Sequence, residues 1–164
     1  MDTLAFAIKI EHDGERYYRD QAELNSGNSL FNVCVFLAEA EKNHAQLLID
    51  LRNNKSLNTA QIKSAEEIKS IFKDIKNFKS EIRELPSQLE FYTMASEKEQ
   101  QSIEMYKGFL DKAADADEIK LFKFLIEQEK THYDMLEELI LRLSHAEDWV
   151  ENAEFGLWSN RGEY

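Results

Sequence analysis

Two stretches of the chain, AEAEKNHAQLL (38–48) and IEQEKTHYDML (126–136), set a glutamate three residues before a histidine inside apolar helical patterns. Residues three, four or seven apart share a helix face. Glu41 and His44 therefore continue the stripe Leu30, Leu37, Leu48 and Leu51, and Glu129 and His132 lie with Phe122, Leu125, Leu136 and Leu139. Such groups are costly to bury without partners, and carboxylate with imidazole on one face is a donor set for a metal ion.

The two stretches are related by an offset of 88 residues, which pairs Glu41 with Glu129, His44 with His132, Glu11 with Glu99 and Tyr18 with Tyr106. In each half a Glu followed by Tyr seven residues later precedes a Glu-x-x-His by thirty residues, so each half reads as one helical hairpin carrying two carboxylates and one imidazole. Glu11 is in line with Leu4, Ile8 and Tyr18, and Glu99 with Tyr92, Ala95, Ile103 and Tyr106. Other acids fall elsewhere: Glu90, Glu97, Glu104 and Asp111 recur at sevens on a solvated face, and Glu39 turns away from the stripe of its helix.

Four glutamates and two histidines thus converge inside a bundle. Mutual repulsion and desolvation forbid four buried carboxylates from all staying ionised without cations. Two divalent ions bring about +4 against about −4, and imidazole with carboxylate oxygen suits iron or manganese better than a thiolate-preferring metal. Six protein ligands leave each ion an open position for dioxygen or peroxide. Against this stands a structural reading, in which the acids are protonated and the histidines sit in hydrogen bonds; a single Glu-x-x-His is commonly a surface pair. The matched second copy favours the metal site, and His12 and His145, preceded at minus three by Lys9 and Arg142, lack the pattern.

Tyr18 and Tyr106 either hydrogen-bond metal ligands from outside the coordination shell or are buried aromatics with satisfied hydroxyls. Cys34, one heptad before Glu41, reads as packing. Gly14 follows Glu11 by three residues and Ser102 follows Glu99 by three. Small residues there either leave room beside the metals or mark a close helix contact.

The elements that must position these residues are helices. The 164 residues include five Gly and one Pro, and residues that lose little rotamer freedom in helices abound. The patterning predicts helix 1 over about 3–24, ending in NSGNS (25–29), and helix 2 over about 29–53. A crossover over about 54–86 carries one short helix, with Ile68, Ile71, Phe72 and Ile75 at helical spacing. Helix 3 follows Pro86 to about Ala113, and ADADE (114–118) offers an aspartate cap to helix 4, which reaches about His145. The expectation is an all-α domain over 1–145, a four-helix bundle of two hairpins joined by a long crossover. The tail, 146–164, with two Trp and a Phe among acids, is expected to pack on the bundle or on a partner subunit.

A formal charge of −12 argues against nucleic-acid and anionic-membrane partners. One cysteine excludes a disulfide framework and a thiolate zinc site. The start has no signal-peptide order and no apolar run is long enough to span a bilayer, so a soluble cytoplasmic protein is expected.

In IEHDGERYYRDQA (10–22), LAEAEKNHAQLL (37–48), SEKEQQSIEMY (96–106) and LIEQEKTHYDML (125–136), the chain resembles the rubrerythrin branch of the ferritin-like superfamily, over about residues 3–145. That resemblance implies Glu11, Glu41, His44, Glu99, Glu129 and His132 as ligands of two iron ions, with Glu41 and Glu129 bridging. It implies reduction of hydrogen peroxide or dioxygen, or else oxidation and storage of ferrous iron without peroxidase turnover. The chain departs from the pattern twice. Ser102 stands where rubrerythrins carry a seventh Glu, and one cysteine cannot build the paired CxxC motifs of a rubredoxin domain. Electrons must then come from an external donor such as a rubredoxin-like protein. A homodimer is the expected assembly.

Overall fold

The computed structural model describes residues 2–28, 30–60, 62–64, 66–68, 70 and 85–159, the side chains of 85–87 and 146–159 excepted. Its elements are α1 (Thr3–Leu24), α2 (Leu30–Arg52), α3 (Leu85–Leu110) and α4 (Ala116–Ser159), with no strand among the described residues. α1 packs along α2 and α3 along α4, and the two hairpins meet where α2 touches α4. The arrangement is that of a four-helix bundle.

Short polar side chains set the helix ends. Asp2 accepts the Leu4 N–H at 3.2 Å, and Asn28 accepts that of Leu30 at 2.9 Å. Asp115, the aspartate the sequence offered, accepts the N–H groups of Asp117 and Glu118 at 2.9 and 3.1 Å. Each satisfies donors that an open helix terminus leaves unpaired. After α2, Asn54 takes a left-handed φ of 53°, and the Lys55 N–H reaches back to the Asp50 carbonyl at 2.9 Å, closing the helix as Gly or Asn commonly does. In the crossover, Ser64 and Glu67 cap each other reciprocally, at 2.7 and 3.3 Å, ahead of a helical segment whose Ile68 is buried. The expected positions of Ile71, Phe72 and Ile75 lie outside the described residues.

One boundary differs. The expected end of the last helix near His145 is not a helix end: α4 continues to Ser159. A helical ladder is local, and no proline occurs between 116 and 159 to interrupt it. At 1.5 Å per residue, α4 is about 66 Å long against about 33 Å for α1. No described helix is long and apolar enough to cross a membrane.

The core has two apolar clusters. One gathers Tyr18, Val33, Leu37, Tyr92, Leu136 and Leu139 among others, and the second gathers Leu4, Leu48, Ile103, Tyr106, Phe122 and Leu125. Glu11, Glu41, His44, Glu99, Glu129 and His132 are all buried yet belong to neither cluster. They form a polar layer held within the apolar interior.

Candidate metal centre

The six residues expected from the sequence come from all four long helices: Glu11 from α1, Glu41 and His44 from α2, Glu99 from α3, and Glu129 and His132 from α4. All are nearly inaccessible, Glu41 the most exposed at 6%. By contrast His12 and Glu39 are surface residues, paired with Glu15 at 3.5 Å and Arg19 at 2.8 Å. Glu90, Glu97, Glu104 and Asp111 face solvent as their seven-residue spacing requires.

Ligand atoms gather in two groups, Glu11 with His44 and Glu129, and Glu99 with Glu129 and His132, all within 4.8 Å of one another in each group. Glu129 belongs to both. Its Oε1 lies 3.1 Å from His44 Nδ1, and its Oε2 lies 3.4 Å from His132 Nδ1. His44 Nδ1 is also 3.5 Å from Glu11 Oε2, and His132 Nδ1 is 3.5 Å from Glu99 Oε2. The imidazole rings stack nearly parallel, 5.7 Å apart, and Phe36 meets the His132 ring edge-on at 5.5 Å. Glu41 joins neither group, and its carboxylate lies against Gly14 of α1.

Each hairpin's tyrosine serves the glutamate of the other. Tyr18 on α1 donates its hydroxyl to Glu99 Oε1 on α3 at 2.7 Å, and Tyr106 on α3 donates to Glu11 Oε1 on α1. Both hydroxyls are buried and bonded to carboxylates of the cluster, which satisfies the phenols and is compatible with either sequence reading. A buried phenol bonded to a carboxylate fixes which oxygen is left to face the centre.

Charge in this layer is strongly perturbed. Burial raises Glu41 well above the usual carboxylate range, and Glu11 and Glu129 beside it add to the rise. Burial and Glu129 lift Glu99 to about 7, against the pull of His132. For the imidazoles, burial acts downward, but Glu129 and Glu11 outweigh it and bring His44 up to about 10; Glu129 and Glu99 bring His132 up to about 9. Glu129 is itself held well below its ordinary value, because the two histidines overcome the effect of burial. The cluster thus stabilises positive charge on either side of Glu129, and a divalent cation competes with protons for the same lone pairs.

The donor set fits metal ions on a second count. Glu11 Oε2, Glu99 Oε2, both oxygens of Glu129, both nitrogens of His44 and Nδ1 of His132 are buried with no hydrogen-bond partner. His44 Nδ1 approaches Glu129 Oε1 to ion-pair distance without hydrogen-bond alignment. A purely hydrogen-bonded polar layer would satisfy these atoms, since each one left bare costs about 1–3 kcal/mol. Lone pairs converging on common points are instead what a bound cation requires.

A cavity of about 500 Å³ between α1 and α3 reaches this layer. Glu41, Glu99 and Tyr18 line its inner part, Gly14 and Ser102 its walls, and the exposed Lys98 its solvent side. Cys34 is fully buried, and burial pushes its thiol up to about 12, consistent with packing.

Sequence reasoning put the six residues on buried helix faces, where the structure has them, but missed the crossing of the tyrosines and the place taken by Glu41. The first had a signal in the matched seven-residue spacing; the second had one in Gly14, read as room beside the metals or a close helix contact, with Glu41 not named as the neighbour. No curated protein and no solved structure matches the chain. A model of the rubrerythrin family matches residues 2–140, most of its length, and with the duplicated Glu-x-x-His helices brought together around Glu129 the chain belongs to the rubrerythrin family.

Proposed function

We propose that this protein is a non-haem di-iron oxidoreductase that reduces hydrogen peroxide or dioxygen, with electrons from an external donor. One observation carries the reading: two His and carboxylate groups sharing Glu129 lie in a buried layer reached by a cavity from one side. Glu11, His44 and Glu129 would hold one ion, Glu99, His132 and Glu129 the second, with Glu41 a further ligand to the pair. Bound ferrous iron supplies two electrons and Lewis acidity to the oxidant.

The protein's own groups supply the rest. Tyr18 and Tyr106 orient the carboxylates of Glu99 and Glu11 by donating hydrogen bonds to their Oε1 atoms. The flanking apolar clusters exclude bulk water, which strengthens each electrostatic interaction in the layer. The cavity gives a small oxidant access at Glu41 and Glu99. The 164 residues contain one cysteine, so a four-cysteine rubredoxin site cannot be assembled from them.

Rapid mixing of the ferrous-loaded protein with peroxide tests the reading. Oxidation much faster than that of free ferrous iron is expected; an equal rate would remove the enzymatic claim. Iron loading separates it from storage, which the Ser102 departure favours: a catalytic centre saturates near about two ions per chain, whereas a store takes up many.

A further inference from the structure

The two halves of the bundle are not equivalent at one place. Under the 88-residue offset Glu41 corresponds to Glu129 and Gly14 to Ser102. Glu129 is shared between both ligand groups, whereas Glu41 is in neither. A Cβ on Gly14 would come within 2.8 Å of Glu41 Oε2, 3.0 Å of its Cδ and 3.3 Å of its Cγ. Nonbonded carbon and oxygen do not pack that closely, so Glu41 fills volume that any other residue at position 14 would occupy.

Nothing in the backbone asks for glycine there. Gly14 lies inside α1 and has no positive φ, and a glycine inside a helix destabilises it relative to alanine. What glycine supplies is space. Gly14, Glu41 and Ser102 line the same cavity, and the matching wall position at Ser102 carries a side chain.

We infer that Gly14 is a positioning residue that keeps open a second seat for the Glu41 carboxylate, so that Glu41 moves between α1 and the metal pair while Glu129 stays fixed between the histidines. The inference rests on the metal-centre reading above. Charge supplies the direction of movement. In the metal-free layer the Glu41 carboxylate lies against Gly14, and cations held by Glu11, Glu129 and Glu99 draw it inward. Because the outer seat lies in the cavity wall, inward movement of Glu41 also enlarges the inner end of the cavity.

Gly14→Ala separates this from simple packing. Alanine in place of glycine inside a helix should raise the melting temperature of a chain this size by about 2–4 °C if its Cβ meets nothing. Metal-free Gly14→Ala is expected to melt below wild type, because the Cβ meets Glu41. With manganese bound, it is expected to melt at or above wild type, because Glu41 has left the seat. In a Glu41→Ala background, Gly14→Ala should raise the melting temperature in both states. A fall in both states, or a rise in both, in the otherwise wild-type chain overturns the proposal. Should the variant not fold, the wild type decides: a crystal structure of manganese-loaded protein should show Glu41 bonded to an ion, and Glu41 still against Gly14 with both ions in place overturns the inference alone. If wild type takes up no manganese or iron, the metal-centre reading fails and this inference falls with it.

Discussion

Glu129 is the residue on which the centre turns, because its two oxygens each face a different histidine. Its loss should therefore differ in kind from the loss of a one-sided ligand. Glu129→Gln is expected to reduce bound manganese from about two ions per chain to well under one, whereas Glu11→Gln should leave about one; metal analysis after gel filtration reads the difference, and equal losses would show that Glu129 is not shared. The six residues were legible because a 3.6-residue period makes a Glu or His on an apolar stripe conspicuous, and a second copy at a fixed offset makes it unlike coincidence. The seat of Glu41 was not legible. It depends on the side-chain rotamer of one helix against a missing Cβ on another, and no single-helix pattern encodes that distance. The tyrosine pairing was half legible: seven-residue spacing put Tyr18 on the stripe of Glu11, but a phenol is long enough to cross the bundle, and its hydroxyl reaches Glu99.

At the scale of the element, the helices begin and end where side chains replace missing backbone partners. Asp115 accepts two N–H groups at the start of α4, the helix that carries Glu129 and His132. Asp115→Ala should cost about 1 kcal/mol and lower the melting temperature by roughly 2–4 °C, without changing metal content, since the cap is more than three turns from the ligands; thermal melting with metal analysis checks both parts. Starts were legible because capping chemistry is written in adjacent residues, as in ADADE and in the Ser64 and Glu67 pair. The far end of α4 was not. Its apolar bundle pattern fades near His145, but loss of a packing stripe does not stop a ladder of backbone hydrogen bonds, and the helix runs on to Ser159.

For the molecule as a whole, a polar layer inside two apolar clusters makes stability depend on what neutralises that layer. A ligand bound only by the folded state stabilises it by about 2.7 kcal/mol at a hundredfold excess over its dissociation constant. Ferrous iron or manganese should therefore raise the melting temperature, with reversal by a chelator, whereas magnesium, which prefers an oxygen-rich shell, should do less. Unchanged melting with every divalent metal would restore the hydrogen-bonded reading of the acids. The crossed tyrosines bear on the assembly of the two halves. Because Tyr18 answers to Glu99 and Tyr106 to Glu11, each hairpin commits its hydroxyl to a carboxylate it does not own. The halves are interlocked by exchange: neither can complete its own polar layer, and loosening one tyrosine unlatches only one side of a joint that is fastened twice.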